Sequence, residues 1–265
     1  MKMPVLLLFA LVLSTFAEKP NIILIYVDDM GYGDASCLNP KAKFKTPNID
    51  RIAKEGMTFT DGHSSDTVCT PSRYSLLTGR YSWRTTLKRG VMGAEGTCLI
   101  TNGRMTLASL LSDNGYTTAM VGKWHLGMDF PGTKGNRDWK QPVKDMPLDK
   151  GFDYFWGIPA SMNYGVLAWF EGRHAKVPPI FFTSKKPSKI AMADYRIMPP
   201  YQKTPKEAPE PEESGRRKMS LKGKGLEVAN DFIDIECLDR FTTQSLKWLE
   251  GRAAAARKGK AFFLY

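Results

Sequence analysis

The sequence predicts an α/β layered fold, a central mixed and mostly parallel sheet flanked by helices, and three observations carry that expectation. Residues 21–27 read Asn-Ile-Ile-Leu-Ile-Tyr-Val, an unbroken apolar and β-branched run of the kind that forms a strand covered on both faces. Strand-like and helix-like segments then alternate along the chain. Charged side chains fall directly after the strand-like runs, where layered α/β sheets place their ligands. With 265 residues, 42% hydrophobic and 25% charged, the chain has an ordinary globular composition and can bury a sizeable core.

The first segment reads as a signal for export and is set apart from the fold. Lys2 precedes an apolar run over residues 5–13 that is too short to span a bilayer. Thr15 and Ala17 supply the small residues expected before cleavage after position 17. Residues 1–17 are therefore expected to be a signal peptide, and residues 18–265 a soluble protein outside the cytoplasm with no membrane anchor.

After the strand at 21–27 the chain turns at Asp28 and Asp29. Thr46 as N-cap, Pro47 in the first turn and Gly56 at the end bracket a short helix that carries Ile49, Ile52 and Ala53. Pro71 and Gly79 bracket a second helix, which sets Cys69 at its N-terminus. Residues 105–112 suit a third helix closed by Asn114 and Gly115, and residues 116–121 a strand. Lys123 and His125 follow at once; in an extended chain their side chains share one side.

From about 177 to 225 the composition shifts, with eight of the seventeen prolines between Pro178 and Pro211, which suggests a long insertion loop. Residues 231–257 suit an amphipathic helix in two pieces. Residues 261–265, Ala-Phe-Phe-Leu-Tyr, read as the start of a further strand.

The candidate chemistry is concentrated in three places. Asp28 and Asp29 are adjacent carboxylates at a strand end, and their mutual repulsion is relieved when a hard divalent cation sits between them; the same residues also suit a simple turn. Cys69 at a helix N-terminus near Arg73 has the setting of an activated thiolate, although a packed or disulfide-bonded cysteine fits as well. Lys123 and His125 could bind an anion or transfer a proton, or be a surface lysine and a structural histidine.

Bulk properties narrow the field less. A net charge of +11 favours anionic partners. The basic residues are scattered, with no stripe interleaved with aromatics, so nucleic acid is not expected. Cys37, Cys69, Cys98 and Cys237 match no zinc-binding spacing and leave room for one disulfide.

Three motifs occur in order: Asp-Asp-Met-Gly-Tyr-Gly-Asp after the first strand, Cys-Thr-Pro-Ser-Arg at 69–73 with Leu-Thr-Gly-Arg at 77–80, and Gly-Lys-Trp-His-Leu-Gly at 122–127. Together they resemble the sulfatase family, strongly over residues 20–128 and again at Gly-Phe-Asp 151–153 and the last strand. The resemblance implies an alkaline-phosphatase-like fold, incomplete at its C-terminus, in which residues 18–265 are the N-terminal part of a catalytic domain. It further implies that a maturation enzyme oxidises Cys69 to formylglycine, and that Asp28, Asp29 and an oxygen of the modified Cys69 ligate calcium. Arg73 and Lys123 would hold the hydrated aldehyde, His125 would handle the proton as sulfate leaves, and Asp34 would support the loop.

The implied substrate is a sulfated carbohydrate or an aryl sulfate. The family's site also needs further metal ligands and a second His and Lys, which come from later in such chains. A fragment with weak metal binding, an open sheet edge and no activity of its own is therefore expected. Two other functions stay open: a phosphodiester or phosphonate monoester hydrolase of the same superfamily, and a secreted sulfate-binding protein without turnover.

Overall fold

The computed structural model describes residues 19–183 and 225–265. The expected export signal and most of the proline-rich stretch lie outside the described residues.

Among the described residues the main sheet has six strands, and the chain visits them out of sequence order. Strand β1 (Ile22–Ile23) lies at one edge, and the next strand along the chain, β2 (Thr117–Lys123), occupies a central position. A hairpin of β3 (Gly132–Thr133) and β4 (Asn136–Arg137) stands apart from the sheet. Strand β5 (Tyr154–Ile158) pairs parallel to β2. Of the short strands that follow, β6 (Val166–Leu167), β7 (Phe170–Glu171) and β8 (His174–Ala175), the last two extend the sheet antiparallel beyond β5.

Strands β9 (Phe181–Thr183) and β10 (Leu226–Val228) form a small second sheet with β6. The last strand, β11 (Phe262–Leu264), then inserts between β1 and β2, parallel to both. The order β1-β11-β2-β5-β7-β8 makes the sheet mixed and mostly parallel, as the sequence predicts.

Helix positions also follow the sequence. Helices α1 (Pro47–Glu55), α2 (Cys69–Thr78) and α3 (Leu107–Asp113) match the segments bracketed by proline and glycine or asparagine signals. Thr46 stands at the N-cap of α1, but its hydroxyl is 2.8 Å from a carboxylate oxygen of Asp50 and makes no capping bond to the helix backbone. The Thr106 hydroxyl does cap α3, accepting from the Ser109 N–H at 2.9 Å.

The helix expected in two pieces over 231–257 is a 3₁₀ turn, Asp234–Glu236, followed by one unbroken helix, α4 (Cys237–Ala256). No proline interrupts it, and Trp248 on α4 packs edge-on against Phe262 of β11 at 5.6 Å. On the other side of that strand Phe263 stacks with Phe152 at 6.1 Å, so adjacent residues of β11 serve opposite faces of the sheet.

The expectation that 21–27 is covered on both faces is not met. Regular pairing is confined to Ile22–Ile23 with one further bond from the Leu24 N–H to the Leu264 carbonyl at 2.8 Å. Leu24 and Tyr26 pack against the core, but Ile23, Ile25 and Val27 are exposed. The segment is an edge strand with no described element over its outer face, so only alternate side chains are buried. The four cysteines are all free thiols, so the one disulfide for which the sequence leaves room is not formed: Cys37 is exposed, Cys69 half-buried, and Cys98 and Cys237 sit buried in the core.

Candidate active site

The parallel strands β1, β11, β2 and β5 end on the same side of the sheet, and the residues singled out by the motifs gather there. Asp28 follows the extended run from β1, and Asp29 turns the chain with φ of 56°. Within the same loop Asp34 accepts a bond from the Gly31 N–H at 2.7 Å.

Asp28 is the centre of an ion network. One of its carboxylate oxygens accepts from Lys123 Nζ at 2.7 Å and from Arg73 Nη2 at 2.9 Å. Partial burial raises the carboxyl pKa, but the bonds and charges of Lys123 and Arg73 outweigh it and hold the group below the usual range. The Arg73 side chain is 6% exposed. Its other terminal nitrogen donates to the Lys123 carbonyl at 2.7 Å and reaches the Tyr265 hydroxyl at 3.3 Å, and its guanidinium lies 5.6 Å from the Tyr26 ring. One arginine thus joins the ends of β2 and β11 to the loop after β1.

Cys69 is the first residue of α2 and Arg73 lies one turn further on, on the same face of the helix. Pro71 in that first turn costs no helix bond, because the leading N–H groups have no partner within a helix. Ser72 is buried, and its hydroxyl lies 2.8 Å from the carbonyls of both Asp66 and Val68, which ties the approach to α2 against its start.

His125 departs from the extended geometry considered in the sequence. Lys123 ends β2, but His125 has φ of 59°, so the two side chains do not simply share a strand face. The imidazole is fully buried, 5.4 Å from the Tyr164 ring. Its Nε2 lies 2.8 Å from the Met92 carbonyl, while Nδ1 is buried with no hydrogen-bond partner among the described residues. Burial, reinforced by the charge of Lys123, pushes its pKa down to about 4. The ring is therefore neutral near pH 7, with its proton on Nε2 facing the Met92 carbonyl and its lone pair on Nδ1.

Asp28, Arg73 and Lys123 are thus in direct contact, while Cys69 and His125 join them through the start of α2 and the end of β2. Asp29 has no described contact to the network. Tyr265, Thr70 and Met92 escaped the sequence reading. Tyr265 and Met92 contribute through contacts that only the fold creates, and Thr70, although inside a recognised motif, reads there as an ordinary helix residue.

Asp28 and Asp29 offer hard oxygen donors of the kind calcium takes. Among the described residues, however, no group of three or more His, Cys, Asp or Glu could hold a metal. Calcium takes six to eight oxygens, so the two carboxylates match it in donor type but fall short of it in number. A separate concavity, lined by Arg137, Trp139, Phe182 and Glu227 among others, contains none of the motif residues.

Comparison with known proteins points the same way. The sulfatase family model matches residues 20–265. The chain is 39% identical over 158 residues to an N-acetylgalactosamine-6-O-sulfatase of Bacteroides thetaiotaomicron, covering 60% of this chain and 30% of that protein. It is 41% identical over 167 residues to human steryl-sulfatase, covering 60% and 27%, and 39% identical over 149 residues to human arylsulfatase A, covering 56% and 27%.

A solved structure from work on glycosaminoglycan metabolism by Bacteroides thetaiotaomicron superposes with a TM-score of 0.65 at 27% identity, covering 94% of this chain and 50% of that one. A sulfatase from Pseudoalteromonas sp. superposes with a TM-score of 0.55 at 25% identity, covering 93% and 43%. The chain spans less than a third of the length of these curated relatives.

Proposed function

We propose, on the premise that this chain belongs to the sulfatase family, that the protein it represents hydrolyses a sulfate ester of a carbohydrate or an aryl alcohol. The observation that carries this reading is the network of Asp28, Arg73 and Lys123, set one helical turn from Cys69 at the carboxyl ends of the parallel strands. In the same reading residues 1–17 are a signal peptide that directs the chain out of the cytoplasm. Residues 18–265 are the N-terminal part of the catalytic domain, interrupted by a proline- and charge-rich insertion over about 177–225.

Cys69 would be converted by a maturation enzyme to formylglycine, whose hydrated aldehyde supplies two hydroxyls on one carbon: one to attack sulfur, and one to expel sulfate as the aldehyde reforms. A serine has a single hydroxyl and could not release sulfate in that way. Asp28, Asp29 and an oxygen of the modified Cys69 would hold calcium, which when bound lowers the charge on the sulfate and favours ionisation of the attacking hydroxyl. Arg73 and Lys123 provide fixed cations for the negative charge that develops during transfer. His125, kept neutral by burial, would take up the proton lost from the second hydroxyl as sulfate departs.

The proposal is tested by mass spectrometry of the peptide containing Cys69 after co-expression with the maturation enzyme. Formylglycine is expected at position 69, and a persistent thiol removes the mechanism. Turnover of aryl sulfate in preference to aryl phosphate esters is the second expectation, and a strong phosphate preference would assign the protein to ester hydrolysis at phosphorus instead.

A further inference from the structure

Thr70, the residue after Cys69, has no task in the reaction as proposed, yet it is fully buried and so is His125. Its hydroxyl donates to the backbone carbonyl of His125 at 3.0 Å and accepts from the N–H of Met92 at 3.2 Å. The Met92 carbonyl in turn meets His125 Nε2 at 2.8 Å. These three bonds close a ring through segments distant in sequence: the first turn of α2, the loop at Met92 and the turn after β2.

The ring has a chemical consequence. A carbonyl oxygen can only accept, so Nε2 carries the proton of the neutral imidazole and the lone pair is left on Nδ1. That nitrogen is buried and has no hydrogen-bond partner among the described residues. The backbone at His125 has φ of 59°, a conformation that a non-glycine residue keeps only where its surroundings impose it. Here the His125 N–H donates to the Pro159 carbonyl at 2.8 Å while the Thr70 hydroxyl holds its carbonyl, so both of its backbone polar groups are pinned.

The loop that presents Met92 is seated on the same turn. Leu99 N–H donates to the Leu126 carbonyl and Gly96 N–H to the Met128 carbonyl. A Cβ at Gly127 would come within 3.0 Å of the Gly96 carbonyl oxygen.

We propose that Thr70 is a positioning residue: its hydroxyl couples the helix start that carries Cys69 to His125 and Met92, and so holds the imidazole in the Nε2–H tautomer with Nδ1 free to act as base. The use made of Nδ1 rests on the sulfatase reading, whereas the hydrogen-bonded ring does not.

Imidazole nitrogen chemical shifts test it directly, since the chain has three histidines and the other two, His63 and His174, are exposed. In the wild-type chain His125 is expected to show a protonated, slowly exchanging Nε2 and an unprotonated Nδ1. Thr70→Ser, which keeps the hydroxyl, should preserve that signature, and Thr70→Val, which removes it at nearly equal volume, should give mixed tautomers. With formylglycine installed in a chain of the relatives' length, Thr70→Val should lower kcat at least about tenfold with KM little changed, and Thr70→Ser should retain most of kcat.

An Nδ1–H tautomer in the wild type overturns the proposal without recourse to any variant, as does a folded Thr70→Val chain with unchanged His125 shifts. Absence of sulfate turnover in the formylglycine-bearing chain of the relatives' length, with Thr70 intact, would count against the proposed function alone, with the nitrogen shifts still deciding the role of Thr70.

Discussion

At the residue scale the site is governed by where charge is permitted. Arg73 is almost wholly buried, which is tolerable because Asp28 and two oxygen acceptors, the Lys123 carbonyl and the Tyr265 hydroxyl, surround its guanidinium. His125 meets the opposite condition: burial and the charge of Lys123 favour the neutral ring and bring its pKa from 6.5 to about 4. Because the folded value lies below the unfolded one, the unfolded chain binds the extra proton between them. The associated stability is complete above about pH 6.5 and is lost as the pH falls toward 4. A shift of that size corresponds to about 3 kcal/mol at most. Urea unfolding at pH 7 and at pH 4 should show this loss in the wild type, with a correspondingly smaller fall in His125→Asn.

At the element scale the central pairing of β2 with β5 depends on close backbone approach. A Cβ on Gly157 would lie 1.8 Å from the Gly122 carbonyl oxygen, which is backbone and cannot rotate away. Gly157→Ala is therefore expected to break the β2–β5 pairing and abolish cooperative unfolding, as read by circular dichroism during a thermal ramp. Gly251, on the exposed side of α4, meets nothing within 4 Å. Gly251→Ala should instead stabilise the chain by roughly 0.5–1 kcal/mol, because alanine loses less backbone freedom in a helix. The contrast separates a glycine that the sheet requires from one that the helix merely tolerates.

At the scale of the whole molecule the unusual feature is the edge at β1. Ile23, Ile25 and Val27 recur at the two-residue period of an extended chain and are exposed, Ile25 to 74%. Helix α1 nearby in sequence has no buried residue, and its Ile52 is 62% exposed. Exposed apolar strand edges template association between chains, and charge on an edge suppresses it. The 265-residue chain is expected to self-associate as its concentration rises, and Ile25→Lys to reduce that association, both measured by light scattering during size-exclusion chromatography. No helix among the described residues is long and apolar enough to cross a membrane.

Much of this protein is determined by short-range sequence. Proline, glycine and capping residues mark α1, α2 and α3 within a few positions, since they act through local backbone geometry. The spacing of Asp28, Cys69, Arg73, Lys123 and His125 within their motifs is likewise legible as a set. The tertiary structure decides what depends on contact between distant segments. It places β11 between β1 and β2, turns the apolar run at 21–27 into an edge strand, and leaves four thiols unpaired. It also decides which nitrogen of His125 is free, through bonds from Thr70 and Met92 that lie 55 and 33 residues away. Local pattern fixes what a segment can become, whereas the direction of a hydrogen bond in a dry interior is set only when the segments meet.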